Sequence, residues 1–269
     1  MSKSLSLLLF SMKEISNQRI YQTLLAILII IPWLLLIPTS LFMMDLGKVF
    51  MDMLFTFLHL WLLIYIFFLA APLLARDIEM GTCNMFLTLP MSRAEYLWGR
   101  YAGVVATILP ILLAYLISAV LAFEFAERTW PGYVLSGSGV QFTYGVLLIL
   151  LPYLALTAVL FFIASTATGL SETTVFLFSV WLLCWSIPPV LGAMQEQNVA
   201  AKNPPWIESI LQFINQLLPD ISSSQISLHL AHHIPLENMA VIAYCIEHLA
   251  YSSLIMIVAV LLFQRRDLG

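Results

Sequence analysis

The sequence predicts an all-α membrane protein of six transmembrane helices, and three observations predict it. Of 269 residues, 61% are hydrophobic and 10% charged, with a mean hydropathy of +0.96, which is more apolar surface than a water-soluble fold can hide. The charges are segregated into short connecting segments, as a bilayer sorts a sequence. Six apolar runs also reach the roughly 20 residues that a hydrocarbon core of about 30 Å requires.

Taken in order, the chain begins with Leu5, Leu8, Leu9, Met12 and Ile15 at helical spacing among Lys3, Lys13, Glu14 and Arg19. This pattern predicts an N-terminal amphipathic helix lying in the interface. The spans cover approximately 22–44, 53–75, 101–123, 140–164, 173–194 and 239–263. The first five contain no Asp, Glu, Lys or Arg, and the sixth contains Glu247. The first run is too long for a cleavable signal peptide and no small-residue cleavage site follows it, so it is expected to stay as a span. Between spans five and six, Pro204 and Pro205 precede Trp206, Ile210, Phe213, Ile214 and Leu217. That spacing predicts a short outer helix resting on the membrane face or capping a cavity. No internal repeat or low-complexity linker divides the chain, so residues 1–269 read as one transmembrane domain.

Orientation follows from the basic residues, which are retained on the cytoplasmic side. Lys3, Lys13, Arg19, Arg76, Arg93, Arg100, Arg265 and Arg266 fall on one side, and Lys48, Arg128 and Lys202 on the other, 8 against 3 of 11. Both termini are therefore expected in the cytoplasm. The net charge of -4 is scattered, which excludes the concentrated basic surface that nucleic acid demands. Cys83, Cys184 and Cys245 lie far apart without metal-ligand or disulfide spacing and read as reduced packing residues.

The informative connection lies between spans two and three, residues 76–100. Gly81 can end the extension of span two, and Thr82 can cap a short helix. Pro90 breaks the chain, and Ser92 with Glu95 forms a capping box that starts the next helix. The result is a short transverse helix whose exposed surface is expected to include Met85, Phe86 and Leu89. This segment resembles the type-2 permeases of ABC transporters, the resemblance resting on Glu79, Gly81, Thr82, Leu87, Pro90, Ser92, Arg93, Gly99 and, where the family usually has Lys, Arg100. The six-span layout, the interfacial N-terminal helix, the long outer loop and the end Phe263-Gln264-Arg265-Arg266-Asp267-Leu268 are similar to the family as well. The resemblance implies that the short helix is a cytoplasmic coupling helix docking on a separate ATPase, with Glu79, Gly81, Thr82, Met85, Phe86, Leu89 and Arg93 as the coupling residues. It further implies two ATPase subunits holding ATP and Mg, a second permease copy or homologue, an inner (plasma) membrane location, and export as the function.

No G-x-x-x-x-G-K-[ST] phosphate loop is present, so ATP hydrolysis is expected in a partner and this chain is not expected to be an enzyme. An ionisable group inside the membrane is a functional candidate, which singles out Glu247 and His248 in span six and His59 at a similar depth in span two. Glu247 is expected to face the bundle interior or a dimer interface, within reach of His59 or a polar cavity along a translocation path. A packing role for the same residues is the plainer alternative. In the outer loop, His229, His232 and His233, with Glu237 beyond Pro235, have spacing that would suit a metal and would equally suit an interfacial loop. Gly99 and Gly103 form a GxxxG pair too common to assign a dimer face. Two rival readings stand beside the permease: an intramembrane enzyme acting on lipid or peptide, with Glu247 and His248 as acid and base, and a scaffold that anchors a partner.

Overall fold

The computed structural model describes residues 3–41, 46–87, 91–132, 138–195, 205–219, 221 and 238–266. All regular structure among them is helical: α1 (Lys3–Ser16), α2 (Arg19–Thr39), α3 (Leu46–Tyr65), α4 (Ala71–Glu79), α5 (Thr82–Leu87), α6 (Arg93–Thr129), α7 (Ser138–Thr166), α8 (Leu170–Gln195), α9 (Pro205–Leu217) and α10 (Asn238–Arg265). A π-helical turn, Ile66–Ala70, joins α3 to α4, so that Leu46–Glu79 forms one continuous rod. Among the described residues six helices are long and apolar enough to cross a membrane, and the chain is a multi-pass membrane protein. Pro32, Pro38, Pro110, Pro152, Pro188 and Pro189 sit inside these helices. Membrane helices tolerate them because neighbouring side chains and local adjustments satisfy the freed backbone groups.

The helices overrun the apolar spans where the sequence supplies caps. α6 is 37 residues long, about 56 Å at 1.5 Å per residue, against the expected 101–123. At its start, Ser92 Oγ accepts from Glu95 N at 3.2 Å, and Ser92 N donates to the Glu95 carboxylate at 2.8 Å, the reciprocal pair the capping box requires. Gly81, at φ 67°, ends α4 in the left-handed conformation that glycine adopts without a Cβ clash.

α7 is the central helix. In its membrane window 78% of residues are buried, against 22% for α8, so α7 is surrounded by protein while α8 offers most of its surface to lipid or a partner. Ala155 and Ala158 let neighbouring helices approach it closely. Along α10, which packs lengthwise on α7, the buried stripe is His248, Ser252, Met256, Ala259 and Phe263. α6 is the polar hub: Tyr21 OH of α2 donates to Thr107 O (3.1 Å), Tyr65 OH of α3 to Val104 O (2.8 Å), Tyr115 OH to Leu54 O (2.7 Å) and Ser118 Oγ to Ile29 O (2.6 Å). Interhelical bonds of this kind fix the rotation of helices that packing alone leaves loosely defined.

α1 does not pack by the apolar set that its periodicity suggests. Leu7, Ser11 and Ile15 are buried, whereas Leu5, Leu9 and Phe10 stay exposed. The reason is the glycine pair on α6. A Cβ on Gly99 would lie 2.8 Å from Leu7 Cδ2, and one on Gly103 would lie 2.5 Å from Ser11 Cβ and 3.1 Å from the Leu8 carbonyl oxygen. The GxxxG surface thus receives α1 of the same chain. Cys83 and Cys184 are buried and Cys245 partly so.

Candidate functional site

The densest polar constellation lies where α1, α4, α5 and α6 meet. Arg100, two turns into α6, is buried and its guanidinium reaches three partners. Nη1 donates to Glu14 Oε2 at 2.6 Å and Ser11 Oγ at 3.0 Å, and Nη2 donates to Asp77 Oδ2. Asp77 also accepts from Tyr96 OH at 2.8 Å and from Thr82 Oγ1 at 3.0 Å. The rings of Phe86, Phe10 and Tyr96 surround the guanidinium, their centroids 5.1, 5.5 and 5.9 Å from Cζ. A cation in such a setting is stable only while its partners stay in place, because an uncompensated buried charge is costly. The node therefore ties four helices into one unit.

Around it, charged side chains hold the ends of three further helices. Arg93 Nη1 donates to the carbonyls of Phe263, Gln264 and Arg266 at 3.2, 2.9 and 2.7 Å, satisfying the C-terminus of α10. Arg266 Nη1 donates to Ala164 and Ser165 O at 3.1 and 3.0 Å, at the C-terminus of α7. Glu79 Oε2 accepts from Leu170 N at 3.0 Å, at the N-terminus of α8. Each placement has the sign that the helix dipole favours.

The sequence-derived coupling residues thus divide. Glu79, Gly81, Thr82 and Arg93 act inside this chain: Glu79 and Arg93 clamp helix ends, Gly81 makes the turn, and Thr82, which opens α5, donates to Asp77. Met85 is 72% exposed. Phe86 corrects the expectation of an exposed ring: it is half-buried, 5.6 Å from the Phe10 ring and 5.8 Å from the Tyr96 ring, because the guanidinium of Arg100 draws aromatic faces over it. Leu89 lies outside the described residues, as do His229, His232, His233 and Glu237. Asp77, Glu14 and Ser11 were not singled out from sequence. The available signal was an arginine entering an apolar run with acidic residues on the two elements flanking it.

In the membrane, His59 Nδ1 lies 2.9 Å from Tyr153 OH of α7. Both residues line a cavity of about 400 Å³ between α3, α7 and α8, together with Asp52 and Thr56. The expected approach of Glu247 to His59 is not seen. Glu247 is exposed, on a stripe of α10 with Ala243, Ala250 and Leu254, and it does not line this cavity. That stripe is the surface α10 offers to lipid or to a second subunit, where a carboxylate is costly unless it is paired or protonated. His248 is buried instead, donating from Nδ1 to Tyr244 O at 3.0 Å, with its ring 4.2 Å from that of Tyr244. Glu247 and His248 therefore occupy different faces of the helix.

Comparison of the chain with protein-family models gives no match, and comparison with curated proteins gives none either.

Proposed function

We propose that this chain is the permease subunit of an ATP-driven exporter of the type-2 ABC class. It pairs with a second copy or a homologue and with two separate ATPase subunits, which hold ATP and Mg. In this reading the six spans lie in the inner (plasma) membrane with both termini in the cytoplasm, α1 lies in the cytoplasmic interface, and α5 is the coupling helix.

The observation that carries the reading is the junction at α5. A helix of six residues is held between α4 and α6 by the Arg100–Asp77 node and still presents Met85 outward. Force applied at Met85 is delivered to α4 and α6 together, since Thr82 bonds Asp77 and Phe86 packs on Tyr96. α4 continues through the π-helical turn into α3, and α6 hydrogen-bonds α2, α3 and α7, so the displacement reaches most of the bundle. The exposed face of α1 that carries Leu5, Leu9 and Phe10 suits an interfacial helix. The different faces taken by Glu247 and His248 give no support to acid–base chemistry between them.

The test is at Met85. Met85→Asp leaves the fold unchanged, because the side chain is exposed, but places a charge on the docking surface. Expected are loss of copurification with an ATPase subunit and at least a tenfold loss of ATP-dependent transport. Retention of both, or labelling of Met85→Cys by an impermeant thiol reagent from outside the cell, overturns the proposal.

A further inference from the structure

We infer that the cavity beside His59 is a binding site for an alkylated ammonium group. Its walls are two helical stripes: Asp52, Thr56 and His59 at i, i+4 and i+7 on α3, and Trp181 and Trp185 one turn apart on α8, with Tyr153 of α7 behind them. At about 400 Å³ it falls within the size range of small-molecule sites. Its chemistry selects the ligand. Among its described lining residues Asp52 is the one acid, which disfavours anions, and two indoles and a phenol offer the electron-rich faces that attract weakly hydrated cations. A metal ion fits less well, since the described residues hold no group of three or more His, Cys, Asp or Glu able to ligate one. A plain acyl chain fits less well too, because the polar groups of Asp52, Thr56 and His59 would gain nothing from it. Two further cavities, lined mainly by apolar residues between α6 and α10 and between α3 and α8, have no acid among their described lining residues. Asp52 stands 25 residues from Asp77, about 37 Å along the α3–α4 rod, so the site lies at the opposite end of the bundle from the Arg100 node.

The same group occurs on soluble choline-like compounds and on choline lipids, and the experiment separates them. The full chain in a nonionic detergent is titrated with choline, with its neutral isostere 3,3-dimethylbutanol, and with dihexanoyl phosphatidylcholine, and binding is read by saturation-transfer NMR of the methyl protons. No ATP or partner is added, so the outcome bears on the cavity and not on the permease reading. Binding of choline at least tenfold tighter than its isostere assigns a soluble cation, and binding of the short-chain lipid alone assigns a headgroup. Asp52→Asn and Trp185→Ala each weaken binding at least tenfold, while Trp206→Ala, on α9 and outside the cavity, leaves it unchanged. Trp185 is 66% exposed, so its variant folds and decides the matter even where Asp52→Asn does not assemble. Equal binding of choline and isostere, no binding of either cation, or full binding by Trp185→Ala overturns the inference.

Discussion

Replacing Asp77 with Asn keeps the side chain's shape while removing the charge that faces Arg100. The side chain of Arg100 is 1% exposed and that of Asp77 12%, whereas Glu14, the other carboxylate on the guanidinium, is 35% exposed. Removing one partner of a buried ion pair costs roughly 3–5 kcal/mol. Because Glu14 remains 2.6 Å from Nη1, the loss for Asp77→Asn is expected at the lower end, about 3 kcal/mol. At about 2–4 °C per kcal/mol for a chain of this size, the unfolding midpoint falls by about 6–12 °C. Glu14→Gln, screened by solvent, costs less than about 1 kcal/mol. Thermal unfolding of the purified variants in detergent, followed by tryptophan fluorescence, measures both. Arg100→Met in the Asp77→Asn background removes the stranded cation, so the double variant is no less stable than Asp77→Asn alone. Losses that add in the double variant, or a Glu14→Gln loss as large as that of Asp77→Asn, would refute the burial argument.

Gly103→Ala forces a Cβ to within 2.5 Å of Ser11, so α1 must lift from α6 while the spans still insert; limited proteolysis should then cut within residues 3–16 at least tenfold faster. Arg93→Ala strips three carbonyls at the end of α10 of their charged donor. The cost is about 1.5–3 kcal/mol, read as faster hydrogen exchange confined to the last turn of α10. Phe86→Ala uncovers the Arg100 guanidinium and lowers the unfolding midpoint, in contrast to Met85→Asp, which leaves it unchanged.

What the sequence made legible were features with a local cause. The spans follow from apolar runs free of charge, the start of α6 from Ser92 and Glu95, and the end of α4 from Gly81, each written within a few residues. Contacts between distant residues were not legible. His59 meets Tyr153 across 94 residues, and an apolar run in a membrane shows no periodicity to say which face is buried, since lipid and protein are equally apolar. The same blindness hid the centrality of α7. Phe86 departs from the expected exposure because a six-residue helix is too short for its spacing to define an inner face, and Glu247 stands away from His59 on the outward stripe of α10, the surface open to lipid or a dimer partner.

The π-helical turn Ile66–Ala70 sets how the two ends of its rod are phased. Tyr65, Leu69, Leu73 and Asp77 are all buried at steps of four, whereas an α-helix drifts by about 40° at each such step, or about 120° over three. A single wide turn absorbs most of that drift, as one surplus residue does in a π-bulge. Were the surplus residue lost, Asp77 would swing roughly a quarter turn around the axis, about 100°, and point away from Arg100. The half of the rod that carries Asp52 and the half that carries Asp77 are thus geared to each other through one tooth, and the ion pair at the far end is what keeps that tooth engaged.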